Sequence, residues 1–273
     1  MRRGWPFPRG WSPAAACGAA AVLACTPDPV QWQAEHRTPA TLAPGARLSL
    51  AGGIVPSVVA AWTPASPPTS ASQCPGSLSA IRARGDTAFA VWWALRPDST
   101  ASLVVARSDD AGRRWRAAVT ADSADRGRTG CRRPPPSLFA DSLNGYVHVV
   151  YFMQAPEGPG LFFTHSMEAG EMFHAPVAIV YGERRSAAAV SSRGDTVVVA
   201  YEDPNAAVPQ VWLALSRLQG HIFERRLSVS TASARGENPA VVVRGGRIAV
   251  AWNETGRGGG SVTTVMRVGV LRW

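Results

Sequence analysis

The segment Ser108–Trp115 has the pattern Ser-x-Asp-x-Gly-x-x-Trp, which describes a turn that fixes its own conformation. The Ser and Asp side-chain oxygens can accept hydrogen bonds from nearby backbone amides, and Gly112 can adopt a positive φ. Trp115 can then fold back over the turn as an apolar plug. Two degenerate copies, at 166–173 and 216–223, keep Ser, Gly and an aromatic residue at the same offsets. The chain therefore contains a repeating turn.

A second repeated feature precedes each turn: an apolar run, a tight turn, and an alternating run that ends in an aromatic residue. Short Gly, Asn and Asp dipeptides between β-rich runs predict hairpins. Four such dipeptides occur, Gly85-Asp86, Asn144-Gly145, Gly194-Asp195 and Gly245-Gly246. Each unit thus predicts four antiparallel strands, and no segment carries a sustained helical stripe. We expect an all-β fold.

The first turn resembles the Asp-box, the hairpin signature of sialidase-like β-propellers. The resemblance implies that residues 46–273 form a β-propeller of four-stranded antiparallel blades. It implies about five blades, with four as the alternative, because Arg47–Trp62 resembles only the first half of a blade. An N-terminal strand that completes the last blade would remove exposed edges. The Asp-box residues are expected to hold the hairpin and do no chemistry; they are Ser108, Asp110, Gly112 and Trp115.

The N-terminus has the features of an export signal. Three arginines precede a short apolar run that is too short to span a bilayer as an ordinary helix. Val22-Leu23-Ala24-Cys25 resembles a bacterial lipobox. We therefore expect a lipoprotein signal peptide at 1–24, a lipidated Cys25, and a linker at 25–45. Ordinary secretion and an uncut N-terminal tether are the alternatives.

The charge of the chain does not indicate nucleic-acid binding. All 28 basic residues are arginine, against 19 acidic residues, for a net charge of +9. These arginines are scattered through predicted strands and turns, whereas a nucleic-acid site needs a clustered basic face. The five histidines show no ligand spacing, so no metal or other cofactor is expected, and His148 and His165 are expected to fill strand positions. The predicted state is a monomer.

Two cysteines remain in the body of the chain, Cys74 and Cys131. Each immediately precedes the first strand of its unit, and equivalent positions of neighbouring propeller blades approach near the axis. An exported protein can keep a disulfide, so we expect the two to be joined, with a stabilisation of roughly 3–4 kcal/mol. Two buried free cysteines are the alternative.

Charged residues recur where the first strand of each unit begins and the second ends. Loops at one end of a scaffold commonly carry binding residues, and convergent arginines can hold an anionic group by paired hydrogen bonds. The candidate ligand-binding residues are Arg132, Arg133, Arg184, Arg185, Arg235, Glu202, Asp203 and Glu254.

The resemblance to sialidases implies a chemistry for this end of the fold. Sialidases hold a carboxylate with three arginines and use a Tyr nucleophile, an activating Glu and an Asp acid/base. Glu237, in Gly236-Glu237-Asn238-Pro239, matches the activating Glu and is the candidate catalytic residue. The Arg-Ile-Pro motif is absent, Trp252-Asn253-Glu254 stands where an arginine is expected, and no Tyr follows position 201.

Two functional hypotheses follow. The first is an exported, lipid-anchored Asp-box propeller, periplasmic or at the cell surface, that binds a glycan or protein ligand of anionic character without catalysis. The second is a divergent exo-α-sialidase-type glycoside hydrolase. An inert structural module at the cell surface fits the same residues, because a fold alone does not define a function.

Overall fold

The computed structural model describes residues 28–40, 47–51, 57–256 and 258–272. These ranges contain nineteen β-strands and no helix, so no described helix is long and apolar enough to cross a membrane. The all-β expectation is confirmed. The predicted signal peptide and Cys25 lie outside the described residues.

The strands follow the repeat seen in the sequence. Four short strands precede the repeats: β1 (Val30–Trp32), β2 (His36–Pro39), β3 (Leu48–Ala51) and β4 (Ser57–Ala60). The first unit is β5 (Ser79–Arg82), β6 (Ala88–Leu95), β7 (Ala101–Ser108) and β8 (Val119–Asp122). The second is β9 (Ser137–Ala140), β10 (Val147–Ala155), β11 (Gly158–Ser166) and β12 (Val177–Tyr181). The third is β13 (Ala188–Arg193), β14 (Thr196–Glu202), β15 (Val211–Ser216) and β16 (Arg225–Ser228). The last is β17 (Ala234–Arg244), β18 (Arg247–Gly256) and β19 (Thr263–Leu271).

Each of the first three units is a four-stranded antiparallel meander. The last unit is completed from the N-terminus, because β1 and β2 both pair with β19. Val30 lies opposite Leu271 and is buried, and Thr38 lies opposite Thr264. The expected N-terminal strand is confirmed, and the expected linker at 25–45 is corrected: part of it forms two strands, because β19 offers an edge that needs partners.

The short hairpin β3–β4 is not hydrogen-bonded into any of these sheets. It is a two-stranded sheet with no further strand among the described residues, and β3 contacts β17 and β18.

The four sheets pack face to face in chain order. Alternate residues of one strand face opposite neighbours: on β10, Val149 and Tyr151 pack toward the first sheet, and Val150 and Phe152 toward the third. The rings of Trp93 and Tyr151 meet edge to face between sheets, 5.8 Å apart. The first strands of all four sheets line one cleft, which is the arrangement of a β-propeller.

The first turn is held by its own side chains. The Ser108 Oγ accepts a hydrogen bond from the Gly112 amide at 2.9 Å and donates one to Asp110 Oδ1 at 2.9 Å. Asp110 Oδ1 also accepts from the Arg114 amide at 2.8 Å. The Trp115 indole N–H donates outside the turn, to the Ser66 carbonyl at 2.7 Å, so this residue anchors the preceding loop as well.

The two later turns keep the central bond. Ser166 Oγ accepts from the Gly170 amide at 2.9 Å, and Ser216 Oγ from the Gly220 amide at 3.1 Å. Gly220 has a φ of 89° and packs against the Phe163 ring of the preceding sheet, leaving no room for a Cβ. The glycine is therefore required both by the turn and by the contact between sheets.

A disulfide joins Cys74 to Cys131, with the Cα atoms 5.1 Å apart. It connects the loops that precede β5 and β9, which confirms the predicted pair.

Candidate functional site

All nine candidate residues lie at the same end of the sheets, where first strands begin and second strands end. The structure brings them into distinct local groups that differ in how their charges are used. Two of them, Arg132 and Arg133, belong to the loop of residues 123–136, here called the arginine loop.

The centre of the arginine loop is a buried ion pair. The Arg133 guanidinium contacts the Asp125 carboxylate, and their side chains are 4% and 2% exposed. Arg133 also donates to the carbonyls of Gly127 and Gly130. Its donors are thus directed into the loop, so Arg133 positions the loop and is not available at the surface.

The rest of the protein fixes the same loop. Asp125 Oδ1 accepts from the Gln154 amide at 3.0 Å, and Oδ2 from the Ala101 amide at 3.2 Å. Arg96 donates to the Asp125 carbonyl at 2.7 Å. The disulfide at Cys131 adds a covalent link. A loop held in this way loses little conformational freedom when it binds a ligand.

Three arginines of this loop are exposed, Arg126, Arg128 and Arg132, and so is Arg185 in the loop before β13. Among the described residues, no carboxylate lies within ion-pair distance of any of them. Arg132 and Arg185 line one small depression together with Thr129 and Gln154. Arg126 and Arg128 were not among the predicted binding residues, although four arginines against one acid within the loop were a signal for them.

Two other predicted residues, Arg184 and Asp203, brace the loop after β14. Arg184 donates to the Ala206 carbonyl at 3.0 Å and to the Asp203 carbonyl. The Asp203 carboxylate accepts from the Asn205 amide at 3.0 Å. These contacts satisfy loop backbone groups, which is a structural use of the side chains.

Glu254 is buried at the end of β18. It accepts a hydrogen bond from Arg37 of β2 at 2.6 Å. Arg37 also contacts Glu35 at 3.0 Å. The pair joins the N-terminal strands to the last sheet.

Glu237 lies on β17 at a bulge between Glu237 and Ala240. It is ion-paired with Arg235 at 2.8 Å, and both side chains are over 40% exposed. Glu202 lies near and accepts from the amides of Asn238 and Ala187, at 2.8 and 3.2 Å. Burial raises the pKa of Glu202, and the neighbouring Glu237 charge acts in the same direction. The structure thus places a largely buried carboxylate, Glu202, near an exposed one, Glu237.

The buried tyrosines do not supply an activated nucleophile. Burial raises the pKa of Tyr201 to about 12. Burial also raises the pKa of Tyr151, whose hydroxyl donates to Asp122. A nucleophilic tyrosine needs an adjacent base that favours its ionised form, and both shifts oppose ionisation.

The cleft between the first strands has a volume of about 590 Å³ and is lined largely by small and aliphatic side chains. Arg47 enters it and donates to the Leu78 carbonyl at 2.8 Å, Ser79 Oγ at 2.6 Å and the Pro136 carbonyl at 3.1 Å. Burial lowers the pKa of Arg47. Arg47 was not among the predicted site residues, because no local pattern in the sequence shows that β3 lies beside the cleft.

Within the described ranges, no group of His, Cys, Asp and Glu residues is arranged to hold a metal ion. His148 and His165 occupy buried positions on β10 and β11, as expected.

No protein-family model and no curated protein matches the chain. A solved structure of a protein of unknown function from Dyadobacter fermentans is similar, with 16% identity and a TM-score of 0.52. The match covers 71% of this chain and 53% of that protein, so the chain spans about half its length. This likeness shows the fold alone.

Two weaker matches are enzymes. An α-L-arabinofuranosidase from Podospora anserina has 15% identity, coverage of 78% of this chain and 67% of that one, and a TM-score of 0.45. A xylan β-1,4-xylosidase from Bacillus halodurans has 12% identity, coverage of 71% and 41%, and a TM-score of 0.44.

Proposed function

We propose that this protein is a non-catalytic binding module for anionic glycans, and that the arginine loop with Arg185 is its binding surface. One observation carries the proposal. Arg133 is buried in its ion pair with Asp125 and fixes the loop, whereas Arg126, Arg128 and Arg132 are exposed and have no carboxylate within ion-pair distance among the described residues. Guanidinium groups presented in this way suit paired hydrogen bonds to carboxylate or sulfate.

Binding of full-length protein to immobilised polygalacturonate, heparin and neutral dextran tests this function. We expect binding to one or both anionic polymers, weakening with added salt, and none to dextran. A triple variant, Arg126→Gln, Arg128→Gln and Arg132→Gln, should raise the Kd by about tenfold or more.

The chain offers a matched control for that variant. Arg84, Arg193 and Arg247 are exposed at the opposite, hairpin end, and their replacement by Gln removes the same charge. An equal effect of both triple variants would show unspecific attraction and overturn the assignment of the loop. Absence of binding to both anionic polymers would overturn glycan binding and leave a protein ligand.

A divergent sialidase-type glycoside hydrolase is the second candidate. It is favoured by the adjacent Glu237 and Glu202 with Arg235 at the same end of the sheets. Hydrolysis of a fluorogenic sialoside, abolished by Glu237→Gln and blocked by a sialic-acid transition-state analogue, would support it. No turnover would exclude it.

We further propose that the three Ser-to-Gly turns are Asp-boxes of a sialidase-like propeller, and that β3–β4 is an incomplete fifth blade. The self-capping of the first turn by Ser108 and Asp110 supports the first point. An experimental structure of the full chain would test both.

The proposal places the protein outside the cytoplasm, held by a lipid on Cys25 after removal of residues 1–24. The lipobox-like residues before Cys25 support it. Metabolic labelling with a fatty acid should mark the wild type and not Cys25→Ala; labelling of neither would indicate secretion or an uncut tether.

A further inference from the structure

The face opposite the arginine loop carries an unusual set of exposed apolar side chains. We call it the turn patch: Leu143, Met167, Met172, Leu218 and Ile222, which are 59%, 41%, 62%, 50% and 56% exposed. Exposed apolar side chains that cluster on one face of a protein are typical of interaction surfaces.

The patch belongs to neighbouring elements. Met167 and Met172 lie in the second turn, and Leu218 and Ile222 in the third. The rings of His174 and His221, just after and within these turns, are 5.8 Å apart.

Leu143 extends the patch through the adjacent hairpins. Its side chain lies beside Gly194, 3.8 Å from where a Cβ would be. That hairpin bonds in turn to the third turn, through the Gln219 amide and the Asp195 carbonyl at 2.9 Å.

The fold does not require these apolar residues. The first turn has the same Ser-to-Gly bond, yet it carries Arg114, 91% exposed, at the position of Met172 and Ile222. It carries Asp110 at the position of Leu218, where the carboxylate caps two backbone amides. The third turn therefore has an exposed leucine where the first turn has a capping acid. This difference favours a role for Leu218 in binding another molecule.

The charges around the patch are divided between the two turns. The second turn carries two acids, Glu168 and Glu171, of which Glu171 also lies 3.6 Å from Arg116, just after the first turn; the third turn carries one arginine, Arg217. A surface with opposite charges on its two halves is complementary to itself when rotated by 180°, which is the requirement of a two-fold interface. The same carboxylates disfavour contact with an anionic lipid surface.

We propose that the turn patch is the interface of a two-fold symmetric homodimer, in which the second turn of one copy packs against the third turn of its partner. This departs from the monomer expected from the sequence, and it does not depend on the proposed glycan binding.

Sedimentation equilibrium of the full chain over about a hundredfold concentration range tests the proposal. We expect a reversible dimer. Met172→Arg combined with Ile222→Arg installs the first turn's own residue type in the other two turns, so folding is retained, and it should raise the dimer Kd by at least roughly tenfold. Val262→Arg is the matched control, because Val262 is 42% exposed and lies outside the patch.

A mixing experiment tests the orientation. One variant carries Glu168→Arg and Glu171→Arg, so that both turns are basic; the other carries Arg217→Glu and His221→Glu, so that both are acidic. Native mass spectrometry should show the mixed dimer in excess over either homodimer. A wild type that stays monomeric, a dimer unaffected by the patch variant, or statistical mixing would each overturn the proposal.

Discussion

His148 makes the stability of this protein sensitive to acid. Its side chain is fully buried on β10, and neither ring nitrogen has a hydrogen-bond partner among the described residues. The ring stacks on Phe163 at 5.6 Å and faces His165 at 6.0 Å and Tyr146 at 6.3 Å. Burial, with a smaller contribution from the His165 charge, lowers the pKa of His148 to about 3.

The sign and size of the effect follow from linkage. The unfolded chain binds a proton at this histidine as pH falls through about 6.5, and the folded protein does not until pH approaches about 3. Stability is therefore complete above the unfolded pKa and falls as pH decreases below it. The loss at pH 5 amounts to about 2 kcal/mol for this one residue. His165, whose pKa burial lowers to about 4, adds a loss in the same direction.

Urea denaturation at pH 8 and pH 5 measures this loss. His148→Phe keeps the ring and removes the unpaired nitrogens, so the variant should be at least as stable as the wild type at pH 8. It should also lose about 2 kcal/mol less on acidification. His36→Phe is the control, because His36 is exposed on β2. If His148→Phe and the wild type lose equal stability between the two pH values, the reasoning is wrong.

Three further predictions concern the framework. Gly220→Ala should lower the free energy of unfolding by about 1–3 kcal/mol through overpacking, whereas Gly85→Ala, at an open turn, should cost less; urea midpoints compare them. Arg133→Gln leaves a buried carboxylate without its partner and should cost about 3–5 kcal/mol; a change below 1 kcal/mol would contradict the buried pair. Replacing Cys74 and Cys131 by Ala should cost roughly 3–4 kcal/mol, and an unchanged thermal midpoint would speak against the disulfide.

Local signals in the sequence were enough for the strands and their hairpins. The dipeptides at Gly85, Asn144, Gly194 and Gly245 act within a few residues of themselves, and each forms the turn that it predicts. The segment that contains β1 and β2 carries no such local signal. It is short and proline-containing, and its strand character depends on an edge of β19 more than 220 positions away. A partner at that distance leaves no local pattern.

In the candidate site, too, the role of a single residue depends on distant contacts that the local sequence does not show. Arg132 and Arg133 are adjacent and chemically identical, yet one is exposed and the other is buried in an ion pair. The difference arises because Gly127 and Gly130 turn their carbonyls toward a single guanidinium. Sequence reasoning could locate the charged loop, but it could not divide the arginines between framework and surface.

The three turns share the residues that close them and differ in the residues around these. The Ser and Gly positions recur because the bond from the Gly amide to the Ser oxygen closes each turn. The residues at positions two and six after the Ser differ among the three turns. The first turn uses them for Asp110 and Arg114, which pair with each other. The third uses them for Leu218 and Ile222, whose side chains are 50% and 56% exposed. Because Met172, Leu218 and Ile222 are exposed, substitutions at these three positions should change association while the urea midpoint of the monomer, measured at low concentration, stays constant.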